Sequence, residues 1–137
     1  MLAIATNTNK KNVEILLDKN LPKGWKNWFS AVVTSDTVVE KKPSAAVYLA
    51  VLKTTNLKAS HVIALEDTEN GLFSATAAGI STIITTHEFT HHCDFPEAAL
   101  VVDSAGDASR PFNVLNGRTI DERWLTVSLL DKLLGQK

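Results

Sequence analysis

Short apolar runs alternate along this chain with longer segments whose apolar residues recur at helical spacing. Short apolar runs bounded by polar turns are typical of buried strands, and a 3.6-residue period is typical of helices that pack on a sheet. Their alternation predicts βαβ units around a mainly parallel sheet, an α/β fold. The predicted strands are residues 2–6, 29–34, 61–66, 81–85 and 99–104, and the predicted helices are residues 9–20, 44–54, 69–78 and 121–134.

Turn-forming residues set several of these boundaries. Gly79 is predicted to end the helix over residues 69–78, because glycine readily adopts the left-handed conformation that closes a helix. The pair Asn116 and Gly117 predicts a turn ahead of the last helix. Within the helix over residues 69–78, Leu72, Phe73 and Thr76 are predicted to lie on one side.

Composition narrows the functional classes. The chain has 137 residues, 45% of them hydrophobic, which suits one domain over residues 1–137. Its net charge is −1, so we expect neither a nucleic acid nor an acidic membrane surface as a partner. The lone Cys93 excludes an intrachain disulfide, and no apolar run reaches the length of a membrane span. The apolar start lacks the basic residues of a signal peptide, and we expect a cytoplasmic protein.

Three groups of polar residues are predicted to meet at one edge of the sheet, beyond the carboxyl ends of its strands, where open α/β sheets bind ligands. Thr6 and Asn7 lead into a helix N-terminus, which suits an anion, although a simple helix cap fits equally well. Lys42 precedes Pro43 and is suited to neutralise a phosphoryl oxygen, although most loop lysines are merely solvated. Glu66 and Asp67 follow a strand and supply oxygen ligands for Mg²⁺, or simply an acidic helix start.

The order of these groups resembles the haloacid dehalogenase-like (HAD) superfamily, and within it the β-phosphoglucomutase and CbbY-like branch. The likeness rests on a hydroxyl after the first strand, a Lys-Pro pair in KPSAAVYLAVL, and Glu-Asp-(Ser/Thr)-x-x-Gly in VIALEDTENGLFSATAAGI. It continues through DFPEAALVVDSAGD and PFNVLNG and covers essentially the whole chain. The resemblance implies a Rossmann-like three-layer αβα core.

The resemblance also implies phosphoryl transfer from small phosphorylated metabolites, often sugar phosphates, with Mg²⁺ as cofactor. Thr6 and the amide near Asn7 would bind the transferring phosphoryl group, and Lys42 would balance its charge. Asp67, aided by Glu66, would hold the metal. These roles suit the reaction, because donors and cations stabilise the charge that spreads over the phosphoryl oxygens.

One departure from the family concerns the attacking group. HAD phosphotransferases begin with a strand that ends in Asp-x-Asp-x-(Thr/Val), whose first Asp attacks phosphorus and whose second is the general acid and base. This chain contains no Asp-x-Asp. Its first residues resemble the family's second core strand, so we expect both the nucleophile strand and the cap domain to be missing. The isolated chain is then expected to have little or no activity.

The missing strand would lie between the predicted strands at residues 2–6 and 61–66. Strands pair about 4.8 Å apart, so its loss leaves a gap of about two spacings. Either the two neighbours pair directly, or a strand from another chain or a separate segment fills the gap. We expect a strand-donating partner or a homo-oligomer.

Two functional hypotheses from different classes follow. The chain is either the core of a HAD-like hydrolase or phosphomutase that needs a nucleophile-bearing segment, or a non-catalytic module that keeps the fold and binds phosphate or metal. A generic α/β domain without a phosphate site is a third alternative.

Two other clusters are assigned to structure rather than chemistry. His87, His91, His92 and Cys93 have zinc-ligand chemistry, with two histidines four residues apart, but nothing nearby completes a four-ligand set. Trp25, Trp28 and Phe29 are expected to pack in the core or an interface rather than to stack on a ligand.

Overall fold

The computed structural model describes residues 1–135 and is a mixed α/β structure with six strands and four α-helices in that range. Two short 3-10 helices, Trp25–Trp28 and Ala59–His61, precede the second and third strands. In chain order the elements are β1 Leu2–Ala5, α1 Lys10–Asn20, β2 Phe29–Val33, α2 Ala46–Thr55, β3 Ile63–Glu66, α3 Glu69–Ala77, β4 Ser81–Thr85, β5 Leu100–Val102, β6 Val114–Gly117 and α4 Val127–Gly135.

The strands form two sheets rather than one. β1 pairs in parallel with β2, and β3, β4 and β5 form a parallel ladder that β6 extends in the antiparallel direction. The predicted mainly parallel α/β fold is therefore confirmed. Because these paired strands run parallel, their carboxyl ends lie at the same edge of each sheet.

The four-stranded sheet is covered on both faces. Side chains of alternate strand residues point to opposite faces, and the core divides accordingly. Ile63 and Ile83 lie in a cluster with Leu129 and Leu133 of α4. Their neighbours in the strands pack with α2 and α3: Ala64 lies in a cluster with Val47 and Ala75, and Ile84 and Val101 lie in one with Leu72. This part of the molecule is a three-layer αβα arrangement.

The two-stranded sheet is covered less completely. α2 contacts both of its strands, and Val33 of β2 and Ala5 of β1 pack in the cluster that α2 and α3 share. Leu2 and Val32, in contrast, are exposed. α2 therefore joins the two sheets on one face, because the same cluster contains residues of both.

β1 and β3 each have a pairing partner on one side, β2 and β4 respectively, and no ladder joins β1 to β3 within residues 1–135. The alternative in which these two strands pair directly is therefore excluded. Each presents a row of backbone N–H and C=O groups without a strand beside it, the usual condition for strand addition.

Two sequence-based boundaries near the C-terminus were wrong. Asn116 and Gly117 lie in β6 and pair with β5 instead of forming a turn. Gly117 has a φ of +109°, and a Cβ there would lie 2.9 Å from the Ala99 carbonyl oxygen, so the glycine serves close strand approach. The last helix begins at Val127, because the backbone groups of Arg123 and Leu125 bond to the segment over residues 105–112.

The three residues predicted to share one side of α3 differ in burial. Leu72 is buried, but Phe73 and Thr76 are exposed, and Ser74 and Ala75 face the interior instead. Small side chains at these positions let α3 approach its neighbours closely, and the Ser74 hydroxyl donates a 2.6 Å hydrogen bond to the Ser44 carbonyl oxygen. Gly79, with a φ of +75°, follows the helix end as predicted.

None of the helices within residues 1–135 combines the length and apolar character that crossing a membrane requires.

Candidate functional site

The end of β1 leads into a polar turn at the predicted site. The Thr6 N–H donates to the Val33 carbonyl oxygen and so extends the pairing of β1 with β2 by one residue. The Thr6 hydroxyl oxygen accepts a 3.1 Å hydrogen bond from the Thr8 N–H, which curls the chain toward α1. Asn9 caps that helix, since its side chain accepts from the Asn12 N–H. The helix cap and the turn therefore leave Thr6 half-buried and Asn7 exposed.

Asn7 connects the end of β1 to the loop that carries Lys42. The Asn7 side-chain oxygen accepts a 2.8 Å hydrogen bond from the Lys42 N–H, and its amide nitrogen donates to the Lys42 carbonyl oxygen at 3.4 Å. Lys42 is followed by Pro43 through a cis peptide bond. One side chain thus satisfies both backbone groups of Lys42 and holds this lysine beside the first strand.

Lys42 and Glu66 form a buried ion pair across the two sheets. The Lys42 Nζ and the Tyr48 hydroxyl both donate to Glu66 Oε1. The side chains of Lys42 and Glu66 are only 10% and 7% exposed. Burial, together with the negative charge of Glu66, raises the pKa of Tyr48 far above its ordinary value of 10, so the phenol remains a donor. Lys42 is therefore not a solvated loop lysine.

The start of α3 is shaped to receive the Glu66 side chain. Thr68 caps the helix by accepting from the Gly71 N–H. At Gly71 a Cβ would lie 2.0 Å from Glu66 Oε2, so any side chain there would collide with the carboxylate. This contact explains the glycine of the Glu-Asp-Thr-x-x-Gly motif, because its absent side chain leaves the space that Glu66 occupies.

Asp67 differs from its neighbour in exposure and partner. Its side chain is 59% exposed, and its Oδ2 lies 3.7 Å from His87 Nε2. The two adjacent carboxylates thus point to different surroundings, as the strand geometry predicts. Glu66 is occupied by Lys42 and Tyr48, while Asp67 faces solvent at the sheet edge. The prediction that Asp67, aided by Glu66, holds a metal stays a prediction.

The sequence did not single out two residues of this site. Tyr48 lies within KPSAAVYLAVL, and only its position downstream of Lys-Pro indicates a role. His87 was placed in the cluster with His91, His92 and Cys93. Residues 88–92 form consecutive turns rather than a helix, so the spacing of His87 and His91 does not place them on one helix face. Among residues 1–135, no group of three or more His, Cys, Asp or Glu side chains is arranged to hold a metal by itself.

The aromatic residues before β2 divide between core and surface. Trp25 is buried and donates from its indole nitrogen to Asp18, whereas Trp28 is half-exposed. Core packing is therefore confirmed for Trp25, and for the half-exposed Trp28 packing in an interface stays a prediction.

Comparisons with known proteins identify the family of this chain. The family model of the haloacid dehalogenase-like hydrolases matches residues 1–85, which include all the predicted site residues. The plasmid-encoded protein CbbY of Cupriavidus necator is 42% identical over 110 residues, or 80% of this chain and 43% of that protein.

The solved structures give the same result. CbbY of Rhodobacter sphaeroides, solved in complex with phosphate, is similar with a TM-score of 0.69 at 35% identity over 75% of this chain and 46% of that one. A variant of the same protein, solved in complex with xylulose-(1,5)-bisphosphate, matches equally well. The chain spans less than half the length of these relatives. It belongs to the haloacid dehalogenase-like hydrolase family.

Proposed function

We propose that this chain is the phosphate- and metal-holding part of a HAD-like phosphatase for small phosphorylated metabolites, with sugar phosphates as the substrate class. The observation that carries the proposal is the network at the sheet edge. Asn7 holds Lys42, and Lys42 pairs with Glu66, which is followed directly by Asp67. Residues from three separate segments therefore meet where the ends of β1 and β3 approach the Lys42 loop.

Each group has a role in this proposal. The Thr6 hydroxyl and the amide near Asn7 bind the oxygens of the phosphoryl group, and Lys42 supplies a fixed positive charge close to them. Glu66 holds the Lys42 ammonium in place. Its carboxylate is buried and also accepts a hydrogen bond from Tyr48, so it moves little. A preorganised cation of this kind stabilises the developing charge of phosphoryl transfer.

The exposed carboxylate of Asp67 fits a magnesium ion. Mg²⁺ prefers oxygen ligands and is usually bound through one or two carboxylates, water and the substrate's phosphate, so an incomplete protein ligand set is suitable. When bound, Mg²⁺ would neutralise phosphoryl charge. The proposed role of this chain is to present Asp67 at the sheet edge while Lys42 remains paired with Glu66.

The substrate class is supported by the relatives. CbbY of Rhodobacter sphaeroides was solved with phosphate and, as a variant, with a sugar bisphosphate. The matched region of this chain includes Thr6, Lys42 and Asp67. These facts support a small phosphorylated metabolite as the ligand.

We further propose that activity needs an added strand between β1 and β3 that carries the attacking carboxylate. The chain has no Asp-x-Asp, and the facing edges of the two sheets are unpaired within residues 1–135. The carboxyl ends of β1 and β3 are linked by the contacts of Lys42, so the gap opens at the site itself. A parallel strand there would end beside Lys42 and Asp67.

Ligand-dependent melting tests the binding half of the proposal. Inorganic phosphate should raise the melting temperature of the full chain, and Mg²⁺ should add to this rise, because ligands that bind only the folded state stabilise it. Asp67→Asn should abolish the magnesium effect and leave a phosphate effect, and Thr6→Val should weaken the phosphate effect. Asp94→Asn, a change in an exposed loop, is the matched control.

A non-catalytic phosphate- or metal-binding module is the second candidate, favoured by the absence of Asp-x-Asp from the chain. It predicts the same melting shifts but no phosphate release under any condition. Melting that responds to neither phosphate nor Mg²⁺ would contradict both candidates and leave only a generic α/β domain.

A further inference from the structure

An imidazole lies beside the carboxylate that is proposed to hold the metal. His87 Nε2 is 3.7 Å from Asp67 Oδ2, and the side chains are 40% and 59% exposed. His87 follows β4 by two residues, and Asp67 follows β3 directly. Because Glu66 of β3 is in register with Ile84 of β4, both side chains emerge at the same edge of the four-stranded sheet. Their proximity therefore follows from the strand pairing.

The His87 ring is held by its own turn. The Phe89 N–H donates to His87 Nδ1 at 3.2 Å, and the Phe89 ring contacts the imidazole edge-on. The backbone is fixed as well, since the His87 N–H donates to the Thr90 hydroxyl and the His91 N–H donates to the His87 carbonyl oxygen. Both the position and the orientation of the ring are set without Asp67.

The hydrogen bond to Nδ1 determines what the other nitrogen can do. A ring nitrogen that accepts a backbone N–H carries no proton, so the neutral imidazole has its proton on Nε2. An Nε2 that carries a proton has no lone pair for a metal. It is a hydrogen-bond donor, and the group it faces is the Asp67 carboxylate.

We propose that His87 is a positioning residue that holds Oδ2 of Asp67, so that the other carboxylate oxygen is presented to the metal. The inference rests on the proposed function, because it takes Asp67 as the metal ligand. The present 3.7 Å separation is too long for a hydrogen bond, so the role requires the exposed Asp67 side chain to rotate toward His87. Partners that orient a metal ligand typically contribute about 10- to 100-fold to metal affinity.

Binding of Mn²⁺ to the full chain, followed by the electron paramagnetic resonance signal of the free ion, tests this role. Mn²⁺ shares the oxygen preference of Mg²⁺ and is visible to the method. His87→Phe keeps an aromatic ring but removes the donor, and it should raise the Kd for Mn²⁺ about 10- to 100-fold. His87→Gln keeps an amide donor, and its Kd for Mn²⁺ should rise less than that of His87→Phe. The metal-free melting temperature should change little in either variant.

Two matched variants separate the alternatives. His91→Gln alters the same loop at a histidine whose Nδ1 lies 2.8 Å from the Glu88 carbonyl oxygen, and it should bind Mn²⁺ like the parent chain. Asp67→Asn should lose binding. If His87→Phe binds Mn²⁺ as tightly as the parent while Asp67→Asn does not, the role of His87 is wrong and the metal site stands.

Two further outcomes overturn the inference in different ways. A pulsed-resonance spectrum that shows a ring nitrogen bound directly to Mn²⁺ would make His87 a ligand, contrary to the tautomer that the Phe89 N–H sets. If the parent chain and Asp67→Asn bind Mn²⁺ alike or not at all, the proposed metal site fails, and the role of His87 fails with it.

Discussion

The two sheets of this protein differ in how they are held. In the four-stranded sheet β4 and β5 have strand neighbours on both sides and helices on both faces, and Ile83, Ile84 and Leu100 are fully buried. In the two-stranded sheet β1 has one neighbour and Leu2 is half-exposed. The first sheet is stabilised by its own core. The second depends on α2 and on the polar contacts of Lys42, which are also the proposed phosphate site.

Breaking the polar connection between the sheets should have the largest effect. Lys42→Met would remove the positive charge from a buried carboxylate, and losing one partner of a buried ion pair costs about 3–5 kcal/mol. We expect a cost near the lower end, about 3 kcal/mol, because Tyr48 still donates to Glu66. Urea unfolding measures this loss in the free energy of unfolding. Lys41→Met, at an exposed neighbour, should change that free energy by no more than about 0.5 kcal/mol. Equal costs for the two lysines would show that the pair does not join the sheets.

A pair of leucine truncations compares the sheets directly. Leu100→Ala in β5 should lower the free energy of unfolding by about 2–5 kcal/mol, because it leaves a cavity in a closed core. Leu2→Ala in β1 should cost about 0.5 kcal/mol or less, since that side chain is 55% exposed. Chemical denaturation of both variants gives the comparison. If Leu2→Ala lowered the free energy of unfolding as much as Leu100→Ala, the Leu2 side chain of β1 would have to be buried against other atoms in solution.

The glycine beneath Glu66 sharpens the same comparison. Gly71→Ala should cost about 1–3 kcal/mol, because its Cβ would collide with the carboxylate that joins the sheets. Gly135→Ala, where a Cβ would meet nothing within 4 Å, is the control and should be nearly neutral. Thermal unfolding of the two variants checks this. A neutral Gly71→Ala would indicate that Glu66 can move away from α3 without loss.

The smallest expected effect concerns the antiparallel edge of the four-stranded sheet. Hydrogen bonds from Asn113 lower the pKa of Asp103 below its ordinary value of 3.8, with the backbone N–H as the main cause. A lowered pKa in the folded state means that Asp103 stabilises the fold above pH 3.8 and that this contribution disappears as the pH falls through the folded-state pKa.

Asp103→Asn should therefore reduce the melting temperature at neutral pH, and the difference from the parent should shrink in acid. Melting curves between neutral pH and about pH 2 measure the difference. A difference that stays constant over this range would contradict the assigned role.

The sequence predicted the fold well because strand and helix periods are local properties. All the predicted strands formed at their positions, and the Asn116–Gly117 pair failed because its role depends on strand β5, which is distant in sequence. The site residues could be proposed from motif order. The partners of Glu66 could not, since Tyr48 of α2 and Lys42 of the preceding loop reach it only in the folded structure. His87 could not be predicted either, because its position depends on the register of β3 and β4.

The central claim is that a working site is completed by a strand between the two sheets. The most direct test is phosphate release from a sugar phosphate, in Mg²⁺, by the full chain mixed with a short extended peptide that ends in Asp-x-Asp. We expect release with this peptide, none without it, and none with an Asn-x-Asn peptide that raises the melting temperature equally. If neither peptide changes the melting temperature and no phosphate is released, the gap between β1 and β3 does not accept a strand and the claim is contradicted.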